Sequence, residues 1–190
     1  MFQRLFGRER NRNRQIVDAL YEQIVAAARR EFLYSVWEVP DTPLGRFEML
    51  SLHMFLLQHR LKGETGIAAE IAQELIDEFF KEVDHSIREL GVSDVGVPKR
   101  MKKLARMFYG RTAAYAAALD AGNRPELAAA LARNVRPDVR DWPQASALAD
   151  YVAELNAGLK AQSIDAILMG EVSFPAPIAQ GVPSEAEAQP

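Results

Sequence analysis

The chain has 190 residues, with 23 Lys+Arg against 26 Asp+Glu, 48% hydrophobic residues and no Cys. That length suits one domain with tails, and the composition is that of a globular chain rather than a disordered one. The absence of Cys excludes a disulfide framework, thiolate metal sites and a Cys nucleophile.

The first 14 residues carry Arg4, Arg8, Arg10, Arg12 and Arg14 against Glu9 alone. We expect residues 1–14 to form a flexible basic arm. No apolar run follows it, so it does not read as a secretory signal. An Arg-rich amphipathic start also fits a mitochondrial presequence, although the Ser enrichment of one is missing. Phe2, Leu5 and Phe6 beside Arg4, Arg8 and Arg10 could rest on an anionic bilayer, each base adding roughly 1 kcal/mol. A solubilising tail explains them equally well.

From residue 15 the pattern is helical. Over 15–37, Val17, Leu20, Tyr21, Ile24, Val25, Ala28, Phe32 and Val36 recur near a 3.6-residue period. Pro40-Asp41-Thr42-Pro43 breaks the chain, with Thr42 suited to an N-cap and Pro43 to the first helical position. Helix 43–62 is apolar on most sides, which marks a central helix. Arg46 enters it and requires an acidic partner, for which Asp41, Glu48 and Asp84 are the candidates, because an unpaired buried charge would cost several kcal/mol.

Helix 66–90 is two-faced, with an apolar stripe from Ile67 to Leu90 opposite Glu70, Glu74, Asp77, Glu78, Lys81, Asp84 and Arg88. Gly91 suits the position after its end. Helix 98–121 turns Met101, Leu104, Phe108 and Tyr115 inward and Lys99, Lys102, Lys103 and Arg106 outward. Lys99, Arg100, Lys102 and Lys103 stand in its first turns, where the macrodipole disfavours cations. Either they pair with the acidic helix before them, or they dock an anionic partner. Gly110 beside Tyr109 and Arg111 points to a close helix crossing. A short helix over 125–134 and a last one over 144–169 follow. From Val172 on, four Pro and small residues predict a disordered tail, 172–190. The whole is read as all-α, a bundle of about six helices without a β-sheet, with 15–171 as its domain.

Catalytic motifs are scarce. No Gly-rich phosphate loop, G-x-S-x-G elbow or H-E-x-x-H occurs. Glu82-Val83-Asp84-His85 contains one Glu-x-x-His, whereas two-metal bundles use two such motifs and further Glu residues. Glu48, Glu82 and His85 define that alternative, and a solvated acidic face is the plainer explanation. His53, on the central helix, reads as a hydrogen-bonded core residue rather than a base. No catalytic or metal residue and no cofactor is assigned.

Several blocks occur in order: Leu20-Tyr21 with Ile24-Val25-Ala26, Val39-Pro40-Asp41-Thr42-Pro43-Leu44-Gly45-Arg46-Phe47-Glu48, Leu52-His53, Ile87-Arg88-Glu89-Leu90-Gly91-Val92, Val97-Pro98-Lys99-Arg100-Met101-Lys102, and Phe108-Tyr109-Gly110-Arg111. This set resembles the ubiquinol–cytochrome c chaperone family, assembly factors of respiratory complex III, over residues 15–135. The resemblance implies a non-enzymatic assembly factor for cytochrome b, newly made or nascent, acting with a partner assembly factor and near the ribosome. The chain is similar to a bacterial form, which implies a cytoplasmic protein peripheral to the inner membrane, or a matrix protein in a eukaryote. Candidate partner-binding residues are Asp41, Arg46, Glu48, His53, Lys99, Arg100, Lys102, Lys103, Arg106, Tyr109 and Arg111. The alternative to a chaperone is a nucleic-acid or ribosome binder acting through helix 98–111. Cytoplasmic loops of membrane proteins are Lys/Arg-rich, so the acidic helix is the better holder of a client, leaving the basic face for lipid headgroups or RNA.

Overall fold

In the computed structural model, residues 2–177 are described, with side chains from Asn11 onward. Eight helical segments follow one another: α1 (Phe2–Ala28), α2 (Glu31–Ser35), α3 (Pro43–Leu61), α4 (Ile67–Glu89), α5 (Val97–Asp120), α6 (Arg124–Val135), α7 (Ala145–Ala161) and α8 (Ile164–Ile167). Six of them have 12 residues or more, and no strand occurs among the described residues. The all-α bundle expected from periodicity is the fold observed.

The bundle is organised around α3. Met49, Met54, Leu56 and Leu57 are fully buried there, pointing in different directions, which only a helix covered on most sides permits. It packs against α1, α4, α5, α6 and α7. Thr42 caps its start by accepting the amide of Gly45 at 3.1 Å, and Pro43 occupies its first turn. Gly45 is obligatory there for a reason the sequence did not disclose. A Cβ on it would lie 1.9 Å from the Pro40 carbonyl oxygen. At the other end Arg60 donates to the carbonyls of Leu159 (3.1 Å) and Gln162 (3.2 Å) and pairs with Glu64 at 2.8 Å. A cation thus meets the orphan carbonyls at the end of α7.

Two segments expected to be irregular are ordered, and two expected to be continuous are broken. The backbone of residues 2–14 forms the opening turns of α1 rather than a separate arm. The helix expected over 15–37 stops at Ala28, because Arg30 takes an extended ψ of 133° and the chain turns into α2. That turn seats Phe32 and Leu33 in the core, which a straight continuation would not do. The last helix breaks likewise at Gln162, with α8 capped by Ser163.

The expected tail also starts later than Val172. Val172 and Phe174 are buried. Gln23 donates to the Gly170 carbonyl at 2.7 Å and accepts the Val172 amide at 3.0 Å. Gln162 clasps Ser173 the same way, at 2.9 and 2.8 Å. Two side-chain amides thus stand in for missing secondary structure, pairing the Gly170 and Ser173 carbonyls and the Val172 and Ser173 amides. Residues 178–190 of the expected tail lie outside the described residues.

Candidate functional site: an open groove between α1, α3, α4 and α5

Between α1, the start of α3, the end of α4 and α5 lies an open groove of about 1320 Å³. It arises because Tyr21, Val25, Leu50 and Leu104, all on core-facing stripes, are covered only in part. Phe47, Val83 and Ile87 form its deeper wall. At its mouth Leu44 and Leu90 stand 48% and 60% exposed. Apolar side chains that the bundle leaves uncovered in one concave place mark an interaction site. Small-molecule pockets usually span roughly 300–1,000 Å³ and are largely closed. An open groove of this size suits a stretch of polypeptide.

The rim is charged with both signs. Glu22 comes from α1 and Glu82 and Glu89 from α4, while Arg100 and Lys103 face them from α5. Near the start of α3, Arg46 donates to both carboxylate oxygens of Asp41, at 2.6 and 3.2 Å. The Arg46 guanidinium holds the Asp41 carboxyl below its usual range, and the pair is solvent-exposed. Arg46 therefore has the Asp41 partner expected among three candidates, but at the surface rather than in the interior. Tyr34 donates its hydroxyl to the Ala28 carbonyl at 2.7 Å, and burial raises its phenol, as it does that of Tyr21 beside Glu82 and Glu78. Both rings present apolar faces to the groove while their hydroxyls stay protonated.

The candidate residues thus separate into three sets. Asp41, Arg46, Arg100 and Lys103 line the groove. Lys99, Lys102 and Arg106 are exposed along α5, outside it, and Tyr109 is 56% exposed with its ring against Phe80 and Phe108. Among the described residues, no carboxylate lies within ion-pairing distance of any of the five cations of this stretch, so pairing with the acidic helix is not the arrangement adopted.

Glu48, His53 and Arg111 form the third set: Glu48 and His53 are enclosed in the bundle rather than presented at its surface, and Arg111 is partly enclosed beside Glu48. Glu48 and Arg111 approach to 2.6 Å, with side chains 2% and 13% exposed. The contact is ionic and is not aligned as a hydrogen bond. Burial pushes the Glu48 carboxyl up to about 7, with the Arg111 guanidinium opposing the rise. His53 is wholly buried; its Nδ1 lies 2.8 Å from the Met49 carbonyl oxygen, which can only accept. The proton is therefore on Nδ1, and Nε2 accepts from the Tyr151 hydroxyl at 3.2 Å. Burial pushes His53 down to about 4 and Tyr151 up to about 12, so both are neutral. As the sequence suggested, His53 is a satisfied core histidine.

Two further expectations are decided by position. Gly110 makes no close helix crossing, since nothing lies within 4 Å of where its Cβ would be. Glu48, Glu82 and His85 are not assembled: Glu48 is buried beside Arg111, and His85 is exposed beside Glu89 at 3.2 Å. Among the described residues, no group of three His, Asp or Glu could hold a metal ion. Phe2, Arg4, Leu5, Phe6, Arg8 and Arg10 fall where only the backbone is described, so their surroundings lie outside the described residues.

Sequence reasoning missed Leu44, Leu90 and Gly45. Leu44 and Leu90 sat at the ends of apolar stripes, and only their exposure distinguishes them from core. Gly45, in the first turn of a helix right after Pro-Leu, was the one readable signal, because an interior helix Gly costs about 1 kcal/mol relative to Ala and so asks for a steric reason.

The described residues form an all-helical body that carries a large, mostly apolar groove. The sequence model of the family described as ubiquinol-cytochrome C chaperone matches residues 35–174. The chain belongs to this family. The crystal structure of the Cbp3 homolog from Brucella abortus is similar to it throughout, with 56% sequence identity and a TM-score of 0.86 over 93% of this chain and 97% of that one. No curated protein matches it in sequence. The family match begins at residue 35 rather than 15 and extends past residue 135, through α7 and α8 to the packed Phe174.

Proposed function

We propose that this protein is a non-enzymatic assembly factor of complex III that holds an apolar segment of newly made cytochrome b in the α1–α3–α4–α5 groove. Membership of the chaperone family supports the general role, and the groove is the observation that carries the assignment of its site. Its partly covered apolar walls match a segment that has left the ribosome and not yet found its membrane neighbours. Glu22, Glu82 and Glu89 on the rim match the Lys/Arg residues that flank cytoplasmic ends of membrane segments. Such a protein works beside the membrane into which its client inserts. None of the helices in the described residues is long and apolar enough to cross that membrane itself.

The test is a gene deletion read by the b-type haem spectrum of membranes. Deletion should abolish the b-haem signal of complex III with general translation intact, and wild type should restore it. Leu44→Glu with Leu90→Glu should restore it poorly, although both sites are exposed and the protein should accumulate normally. An unchanged b-haem spectrum on deletion would remove the assignment. Full rescue by the double variant would remove the groove from it.

A further inference from the structure

The exposed side of α5 has a composition that the groove does not explain. Lys99, Lys102, Lys103 and Arg106 follow the i, i+3, i+4, i+7 spacing of one helix face, and Tyr109 continues it one turn on. All five are exposed, and no described carboxylate pairs with the four cations. Asp94, which precedes them, is engaged by Arg88, which also holds Asp84 at 2.6 Å. These cations therefore stand unneutralised at the end of a helix that disfavours them.

A second feature adjoins them. In the turn before α5, Val95 is 91% exposed, and at the end of α4 Leu90 is 60% exposed. Leu90 lines the groove together with Arg100 and Lys103, and Val95 lies in the turn that leads directly into the basic start of α5. Gly91, with φ +78°, and the turn at Asp94–Gly96 hold Val95 outward at the tip.

We propose that this edge — the basic stripe of α5 with Val95 and Tyr109 — docks on an anionic phospholipid surface. Basic residues next to exposed aliphatic and amphipathic aromatic side chains are what the headgroup–acyl boundary accepts, the cations meeting phosphates and the apolar tips entering about 5–10 Å. RNA fits less well. Three of the four stripe cations are Lys, which lack the planar fork of Arg. The stripe has one aromatic ring, that of Tyr109, whereas single-strand binders stack successive bases on several. Val95 would contribute nothing to a phosphate backbone. In this orientation the groove mouth lies at the bilayer, beside Leu90, Arg100 and Lys103. That last point rests on the proposed function; the docking does not.

Co-sedimentation of the full-length protein with vesicles tests the docking without reference to any client. Vesicles of phosphatidylcholine with about 30% phosphatidylglycerol should bind it at low salt, and pure phosphatidylcholine should not. Replacing Lys99, Lys102, Lys103 and Arg106 together with Glu should weaken binding at least tenfold with the helical circular dichroism unchanged. Val95→Asp should weaken it several-fold while leaving its salt dependence in place. The proposal is overturned if the wild type ignores anionic vesicles, or if the quadruple variant binds as before. The latter includes the case in which binding is lost instead on changing Arg4, Arg8 and Arg10. RNA binding that the quadruple variant loses, without vesicle binding, would also overturn it.

Discussion

The two sides of α3 treat apolar side chains in opposite ways. Towards α7, Tyr151 is enclosed by Phe32, Trp37 and His53, with ring centroids 5.3–6.0 Å away, and Phe174 closes over His53. Inside, His53 pairs with Met49 and Tyr151, and Trp142 donates to the Trp37 carbonyl at 3.1 Å. Towards α4 and α5, Leu44, Leu50, Leu90 and Leu104 are as apolar but lack a layer over them. The same helix thus supports a finished core and an unfinished one. On the proposed function the two have separate tasks: the closed half holds the fold and the open half takes the client segment.

This contrast can be broken first at the junction of the two halves. Gly45→Ala should have the largest effect, about 3 kcal/mol or more, because the clash is with backbone and cannot be relieved by a rotamer change. Urea unfolding should show a lowered midpoint with an unchanged slope. A loss below about 0.5 kcal/mol would mean that the Pro40 turn moves freely.

Arg111→Met probes the enclosed contact between α3 and α5, and its effect should depend on pH. It leaves the buried Glu48 without its counter-charge, at about 3 kcal/mol when Glu48 is ionised. The folded value of Glu48, about 7, is above its ordinary 4.5. Its contribution to stability is therefore fully present below about pH 4.5 and is lost as pH rises through about 7. Removing the guanidinium raises the folded value further, so the difference between variant and wild type should be greatest above pH 7 and fade towards about pH 5. His53 acts with the opposite sign. Its folded value of about 4 makes stability present above 6.5 and lost as pH falls towards 4, equally in both proteins, so it cancels in the difference. A pH-independent difference would show that Glu48 is not ionised beside Arg111.

On the rim of the open half the smallest effect is expected. Asp41→Asn removes an ion pair that is solvent-exposed on both sides, and exposed pairs contribute little. The melting temperature should stay within error, at low and at high salt. A clear drop would mean that the pair fixes the chain ahead of Thr42 rather than dressing the groove.

Much of the fold could be read from local pattern, and the site could not. Pro40–Pro43 with Thr42, Lys62-Gly63 and Gly91 marked the helix ends near where they fall, because capping and breaking are decided within a turn of chain. The residues 28–31, Ala-Arg-Arg-Glu, contain no breaker at all, yet the helix stops there because Phe32 and Leu33 gain a place in the core. Charged residues were ranked as partner contacts by type, which could not separate exposed Arg46 from enclosed Arg111.

By itself the sequence determined that this chain is helical, where its central helix runs, how its charge is segregated and which family its residues resemble. Each of these depends on spacing or composition along a few turns. The tertiary structure alone decided that Glu48 and Arg111 meet in the interior, what Gly45 is packed against, that Val172 and Phe174 belong to the core, and that the walls of a groove stay uncovered. Burial and its absence are relations between elements distant in the chain. A periodic stripe specifies that a face is apolar, and only packing specifies whether anything covers it.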